Sequence, residues 1–169
     1  VNRRQWLKVA GAAGAFTLRP IGKLLAANGA PQASDHKASV QVELKRLMLR
    51  HTWTTTMSSN TYRDTVNLRY TRDAITGFGE GAPIVRYNEF PEQAKLAIDA
   101  ILDQIAAGDP WQFDAFLADI RKLLGERQHA ALAAVDIAVM DWIGKTLNIP
   151  LYKYFGLDPA AAPITTFSI

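Results

Sequence analysis

The run Gln128-His129-Ala130-Ala131-Leu132-Ala133-Ala134-Val135-Asp136-Ile137-Ala138-Val139-Met140-Asp141-Trp142-Ile143-Gly144-Lys145-Thr146-Leu147 decides how the chain is read. At about 100° per residue it forms a helix with Leu132, Val135, Val139, Trp142 and Ile143 on one stripe. Asp136 falls in the middle of that stripe. An unpaired buried charge is costly, so Asp136 is expected to accept hydrogen bonds from a neighbouring loop or to pair with a cation. Asp141 points the opposite way and can meet Lys145 one turn on, a pair worth only about 0.3–0.5 kcal/mol. Both aspartates read as structural, since neither has a second carboxylate or a histidine at useful spacing.

Two more helices precede this one. Pro91 suits the first turn of a helix carrying Ala94, Ile98, Ile101, Leu102 and Ile105 and ending at Gly108. Asp109 can cap the next, with Pro110 at its first position and Phe113, Phe116, Leu117, Ile120 and Leu124 on one face; Gly125 ends it. Further upstream the period changes to two. Val40, Val42 and Leu44 alternate with polar residues to about Arg50, a second strand follows from Val66, Leu68 and Tyr70, and Arg72-Asp73-Ala74 turns into a third from Ile75 to Phe78. Between the first two strands lies a hydroxyl-rich stretch without clear periodicity, residues 51–62, expected to be a loop that is either a plain hairpin connection or a mobile flap over a site. Beyond the long helix, Asn148-Ile149-Pro150 is a break, residues 151–155 a short turn, residues 156–163 a linker and residues 164–169 one new strand. The fold class is α+β: a three-stranded antiparallel sheet followed by a helical bundle.

Composition agrees with a globular domain. The chain has 169 residues, 49% hydrophobic and 21% charged, within the usual range for one folded core. Its net charge of +3 owes much to Arg3, Arg4, Lys8, Arg19 and Lys23, which precede the first acidic residue, Asp35. The remainder is near neutral, which points away from nucleic acid and from a basic membrane patch. Absence of cysteine excludes disulfides, thiolate metal sites and a cysteine nucleophile. His36, His51 and His129 lack metal-ligand spacing. Residues 1–34, with Asn2-Arg3-Arg4-Gln5-Trp6-Leu7-Lys8 before a short Gly/Ala-rich apolar run, resemble a twin-arginine export signal and its linker. That run is too short to span a bilayer, and the expected location of the product is periplasmic or otherwise exported.

Gly77-Phe78-Gly79-Glu80-Gly81 is not a dinucleotide loop, because Ala82-Pro83 follows where a helix would have to start. Walker, Gly-x-Ser-x-Gly and His-Glu-x-x-His motifs are absent from the sequence. Four runs together are more specific: Gly77-Phe78-Gly79-Glu80-Gly81-Ala82-Pro83, Arg86-Tyr87-Asn88-Glu89, the segment from Ala134 to Lys145, and Ile149-Pro150-Leu151-Tyr152 with Phe155-Gly156. In order and spacing they resemble the N-terminal capping domain of the enolase superfamily, of the mandelate racemase and muconate-lactonising type. Within it they look most like dipeptide epimerases of the L-Ala-D/L-Glu kind.

The resemblance implies a capping domain over residues 35–156, then a linker and the first strand of a (β/α)₈ barrel, residues 157–169, with the rest of that barrel lying beyond. It also implies one Mg²⁺ held by barrel carboxylates and two opposed lysines that remove and return a proton α to a carboxylate. None of these groups maps onto this segment. What maps is the lid: residues 52–62 match the first specificity loop and residues 82–87 the second, so the implied substrate contacts are Ser58, Tyr87 and Ser168. Ser58 stands near where some dipeptide epimerases carry a carboxylate-gripping arginine, which leaves a neutral or hydrophobic dipeptide as open as an acidic one. The implied partner is a small dipeptide, with a homo-oligomer left open. Alternatives are muconate cycloisomerase or o-succinylbenzoate synthase chemistry on the same cap, or a non-catalytic binding domain.

Overall fold

The computed structural model describes residues 37–56 and 58–165. The segment expected to be an export leader, Ser168 and the end of the expected strand 164–169 lie outside the described residues, and Ile164, its described start, is fully exposed in irregular chain. Three antiparallel strands come first, in the order β1-β2-β3: β1 (Ser39–Thr54), β2 (Ser59–Arg72) and β3 (Ile75–Gly81). The helices follow as α1 (Pro91–Asp99), α2 (Leu102–Ala107), α3 (Phe113–Leu124), α4 (His129–Leu147) and the short α5 (Leu151–Tyr154).

Val66, Leu68 and Tyr70 alternate along β2 and are buried on one face. Against them pack Ile98, Ile101, Ile105, Phe116 and Ile120 from the earlier helices and Val135, Val139, Trp142 and Ile143 from α4. Each such side chain contributes about 1.5–3 kcal/mol when fully removed from water. Trp142 carries its one polar atom into this core and satisfies it, Nε1 donating to the Arg72 carbonyl at 2.9 Å, while its ring meets Tyr70 and Trp111 edge to face.

The closest approach in the fold is between β3 and α4. At Gly77 and Gly79 a Cβ would stand 2.7 Å from the amide nitrogens of Trp142 and Ala138, and at Gly81 it would stand 2.7 Å from the Ala130 carbonyl carbon. In all three cases a helix carbonyl oxygen, of Ala138, Ala134 and Ala130 respectively, lies closer still. Two strand residues advance about 6.7 Å and four helical residues about 6 Å, so alternate glycines stay matched to every fourth alanine. The strand edge is closed by the same helix. Asp141 Oδ2 accepts from the Phe78 amide at 2.8 Å, and Lys145 Nζ donates to the Thr76 carbonyl at 2.9 Å and to Asp141 at 2.6 Å. The expected Asp141–Lys145 pair is therefore present and does more than brace one helix turn.

Two expectations are corrected. Residues 51–62 are mainly strand, not loop: β1 and β2 run on past the core as a two-stranded ribbon, pairing Met48 with Tyr62 and, after an irregularity, Trp53 with Asn60 and Thr54 with Ser59. Both faces of this ribbon are exposed, so burial imposed no alternation, although Thr and Trp favour strand. The single helix expected from Pro91 to Gly108 is two, α1 and α2, because Ile101 leaves helical geometry (φ −126°, ψ 19°) and turns into the core. The Asp109 cap forms, accepting from Trp111 N over a 3-10 turn that leads into α3.

The β2–β3 turn places Asp73 at φ 51° and Ala74 at φ 62°, a geometry that costs an L-residue with a Cβ but not glycine. Opposite exchanges at two sites test these contacts by urea unfolding. Gly79→Ala is expected to lower stability by about 3 kcal/mol, since backbone cannot move aside as a side chain does. Ala74→Gly is expected to raise it by up to about 1 kcal/mol. Equal tolerance of both exchanges would refute the close strand–helix contact.

Candidate functional site

β3 ends at Gly81 opposite Val66, and Val66 is opposite Leu44. At this end of the sheet the β1–β2 ribbon continues alone and the chain after β3 enters the 82–88 loop. The two expected specificity loops therefore leave from one end. Along the ribbon, seven residues separate Val66 from Ser59, which carries the tip about 23 Å beyond that row.

The ribbon is pinned where it leaves the core. Arg46 Nε and Nη2 donate to the two carboxylate oxygens of Asp64, each at 2.7 Å, and the Arg46 guanidinium lies 4.0 Å over the Tyr62 ring. A bidentate fork of this kind fixes orientation as well as charge. The Arg46 bond holds Asp64 below the usual carboxylate range. At the tip, Ser58 closes the turn: its carbonyl accepts from Thr55 N at 2.8 Å, its amide donates to Thr55 Oγ1 at 3.2 Å, and its hydroxyl accepts from Asn60 Nδ2 at 3.3 Å. Ser58 is exposed.

Tyr87 ends a 3-10 turn, Val85–Tyr87, and is 57% exposed. Arg86 lies over its ring, with Nη2 donating to the phenol oxygen at 3.2 Å. Tyr87 and Ser58 share an end of the sheet, and among the described residues no bond joins them. Ser168, the third expected contact, lies outside the described residues.

Glu89 was quoted only as part of a motif, yet it is one of the two polar side chains buried in the core among the described residues, at 6% exposure. Its Oε1 accepts from His129 N at 2.6 Å and Ala130 N at 3.2 Å, taking up amides at the start of α4 that Gln128 leaves without a side-chain cap. A carboxylate there also complements the helix dipole. The only local signal was the lack of a capping residue at Gln128, and its partner stands forty positions upstream.

Asp136 differs from expectation. Ala130, Ala134 and Ala138 meet β3, and Val135, Val139, Trp142 and Ile143 meet the core, while Asp136 lies beside that buried face, half-buried in an open groove with Arg121, Leu117, Leu132, Met140 and Phe155. Among the described residues no hydrogen bond reaches it. Burial holds its carboxyl above the ordinary value, and Arg121 pulls the other way. The described residues contain no cluster of three histidine or acidic side chains able to hold a metal ion, and no helix among them is long and apolar enough to cross a membrane.

Residues 37–156 match the family described as mandelate racemase / muconate lactonizing enzyme, N-terminal domain. The chain belongs to that family, and its sheet-and-helix architecture is the capping domain of the enolase superfamily. Over 99% of its length it is 32% identical to an L-Ala-D/L-Glu epimerase of Bacteroides thetaiotaomicron, covering 45% of that protein. Over 77% of its length it is 30% identical to an L-Ala-D/L-amino acid epimerase of Maribacter sp., covering 39% of it. Among solved structures it is similar to a dipeptide epimerase from Enterococcus faecalis complexed with Mg and the dipeptide L-Leu-L-Tyr, with 25% identity, a TM-score of 0.56, and coverage of 70% of this chain and 34% of that one. The chain thus spans less than half the length of the curated relatives it matches.

The groove yields a pH prediction. Between the ordinary carboxyl value of 3.8 and the raised folded value, the folded chain holds the Asp136 proton more tightly than the unfolded chain, so stability falls as pH climbs through that window. Asp136→Asn is expected to raise the unfolding free energy from urea titration at neutral pH, by less than about 1 kcal/mol for a part-exposed group, with a higher midpoint, and to leave both unchanged at pH below the ordinary carboxyl value. A lower midpoint at neutral pH would mean that the charge stabilises the fold.

Proposed function

We propose that this chain is the capping segment of a longer epimerase that removes the proton α to a dipeptide carboxylate and returns it on the opposite face. The observation that carries the proposal is the departure of two loops, the 51–62 ribbon and the 82–88 loop, from one end of a capping domain whose relatives are named as dipeptide epimerases. In this reading Ser58, Tyr87 and Ser168 contact the dipeptide. Residues 52–62 offer hydroxyls, Trp53 and Tyr62 but no side-chain cation, which suits a neutral or hydrophobic side chain better than an acidic one, since a buried carboxylate needs a paired charge.

The described residues hold no cluster of three acidic or histidine side chains, and a Mg²⁺ site needs several oxygen ligands including carboxylates. In this reading the metal and the proton-transferring groups lie in a further domain. Residues 1–34 are proposed as a twin-arginine export signal, supported by Arg3-Arg4 and the weakly apolar run after them, and the product as an exported enzyme that can assemble with copies of itself.

Three measurements test this. A protein carrying the continuation of the reading frame, incubated with Mg²⁺ and L-Ala-L-Xaa dipeptides in D₂O, is expected to exchange the α-proton and accumulate the L-Ala-D-Xaa epimer, fastest for uncharged Xaa. No exchange with any dipeptide would overturn the activity. The 169-residue chain alone is expected to show the same melting temperature with and without millimolar Mg²⁺, since only a ligand that binds the folded state raises it. Arg3→Lys with Arg4→Lys is expected to retain the product in the cytoplasm, and unchanged export would remove the leader assignment.

A further inference from the structure

The 82–88 loop leaves and returns to the body of the domain at one helical turn. At its start, Gly81 packs on Ala130, so closely that an added Cβ would stand 2.7 Å from the Ala130 carbonyl carbon and 3.2 Å from its Cα. At its end, the Glu89 carboxylate accepts from the amides of His129 and Ala130. Both stems thus rest on the first turn of α4. Pro83 and Glu89, the buried residues of this stretch, bracket an exposed crest of Val85, Arg86, Tyr87 and Asn88. Within the crest the chain folds back on itself: the Ile84 carbonyl accepts from Tyr87 N at 2.8 Å and Glu89 N at 3.3 Å, and Asn88, at φ 58° and ψ 36°, makes the reversal. The remaining bonds recorded for the crest, Asn88 N to the Val85 carbonyl and Arg86 to the Tyr87 phenol, are internal to it. Glu89 is therefore the only hydrogen-bonded tie from this segment to the rest of the domain among the described residues.

We infer that Glu89 is the positioning residue of the 82–88 loop, holding Tyr87 at a set place on the first turn of α4 so that this loop is a fixed wall of the substrate site and not a moving lid. The substrate role rests on the function proposed above; the clamping of the loop does not. The 51–62 ribbon is the contrast, since the bonds recorded for it, the Trp53–Asn60 and Thr54–Ser59 pairing and the Ser58 turn, lie within the ribbon itself. A side-chain acceptor that only capped α4 could come from position 128 or a near neighbour. One supplied by Glu89, directly after the left-handed Asn88, couples the cap to the loop.

Amide hydrogen exchange on the 169-residue chain tests this. In Glu89→Ala, the amides of Tyr87, Asn88, His129 and Ala130 are expected to exchange at least about tenfold faster, while those of Val66, Leu68 and Tyr70 in β2 are unchanged. Glu89→Gln keeps an acceptor oxygen at the same reach and is expected to return protection to within about threefold of the parent. If Glu89→Ala loosens His129 and Ala130 but leaves Tyr87 and Asn88 protected, Glu89 is a helix cap and nothing more, and the inference fails. If Glu89→Ala also loosens β2, Glu89→Asp decides: one methylene shorter, it is expected to free Tyr87 and Asn88 with the sheet intact, and an unchanged loop overturns the inference. None of these outcomes depends on turnover, so absence of epimerisation would end the proposed function and leave the clamp standing.

Discussion

Backbone contact between β3 and α4 is the constraint on which the rest of the domain depends. Glycine at three alternating positions and alanine at three positions four apart let a strand and a helix meet with almost no side chain between them. Any Cβ on the strand would push α4 outward, and the displacement would be felt along the whole helix because protein interiors are close-packed. Three consequences follow from the closeness. Asp141 and Lys145, which could not otherwise span the gap, reach the main chain of an edge strand and occupy its open groups. The indole of Trp142 reaches the β2–β3 turn. The first turn of α4 comes to lie beside the end of β3, where the 82–88 loop begins.

Edge strands invite pairing with other chains unless they are covered or bonded, and the two sides of this sheet meet that hazard differently. β3 is bonded by a carboxylate and an ammonium from α4. β1 is left open over the core and then carried outward with β2 as a ribbon, where Arg46, Asp64 and Tyr62 form a charged and aromatic collar. An isolated two-stranded ribbon is marginal in water. The collar therefore marks where support from the core gives out, and beyond it Leu49 and Trp53 stay exposed.

Legibility of the sequence tracked burial. β2, α3 and α4 were readable because a core stripe imposes a period of 2 or 3.6, and the Asp109 cap and Gly125 stop were readable because their chemistry is local. The ribbon was not, since with both faces in water Thr52, Trp53 and Thr54 had no reason to alternate. Nor was the kink at Ile101, where an apolar spacing compatible with one helix is served better by two. Asp136 was misplaced because it stands at the rim of the buried stripe, about 20° beyond Ile143 at 100° per residue, where the core gives way to the groove beside α3. The matching of Gly77, Gly79 and Gly81 to Ala138, Ala134 and Ala130 could have been anticipated from the two spacings together, but neither glycine nor alanine stands out in a search for large apolar residues. Of the proposed site, Tyr87 and Ser58 were assigned to their two loops by family resemblance alone, while the bonding of Glu89 depends on a partner too distant for any local pattern.

The same geometry divides labour between the two loops. A loop that must fix the position of a substrate group gains from short stems on a rigid element, because misplacement by about 1 Å can cost a large factor in rate. A loop that must admit the substrate gains from weak attachment. Here α4 is the rigid element, held to β3 along three of its turns, and the 82–88 loop stands on its first turn through Gly81 and Glu89. Beyond its collar the bonds recorded for the ribbon among the described residues run within the ribbon itself. A substitution in the glycine–alanine seam would therefore act on both stems of the 82–88 loop at once, shifting Tyr87 from a distance while leaving the ribbon where it was. The seam that lets strand and helix approach is thus also what gives one wall of the proposed site a fixed place relative to the sheet.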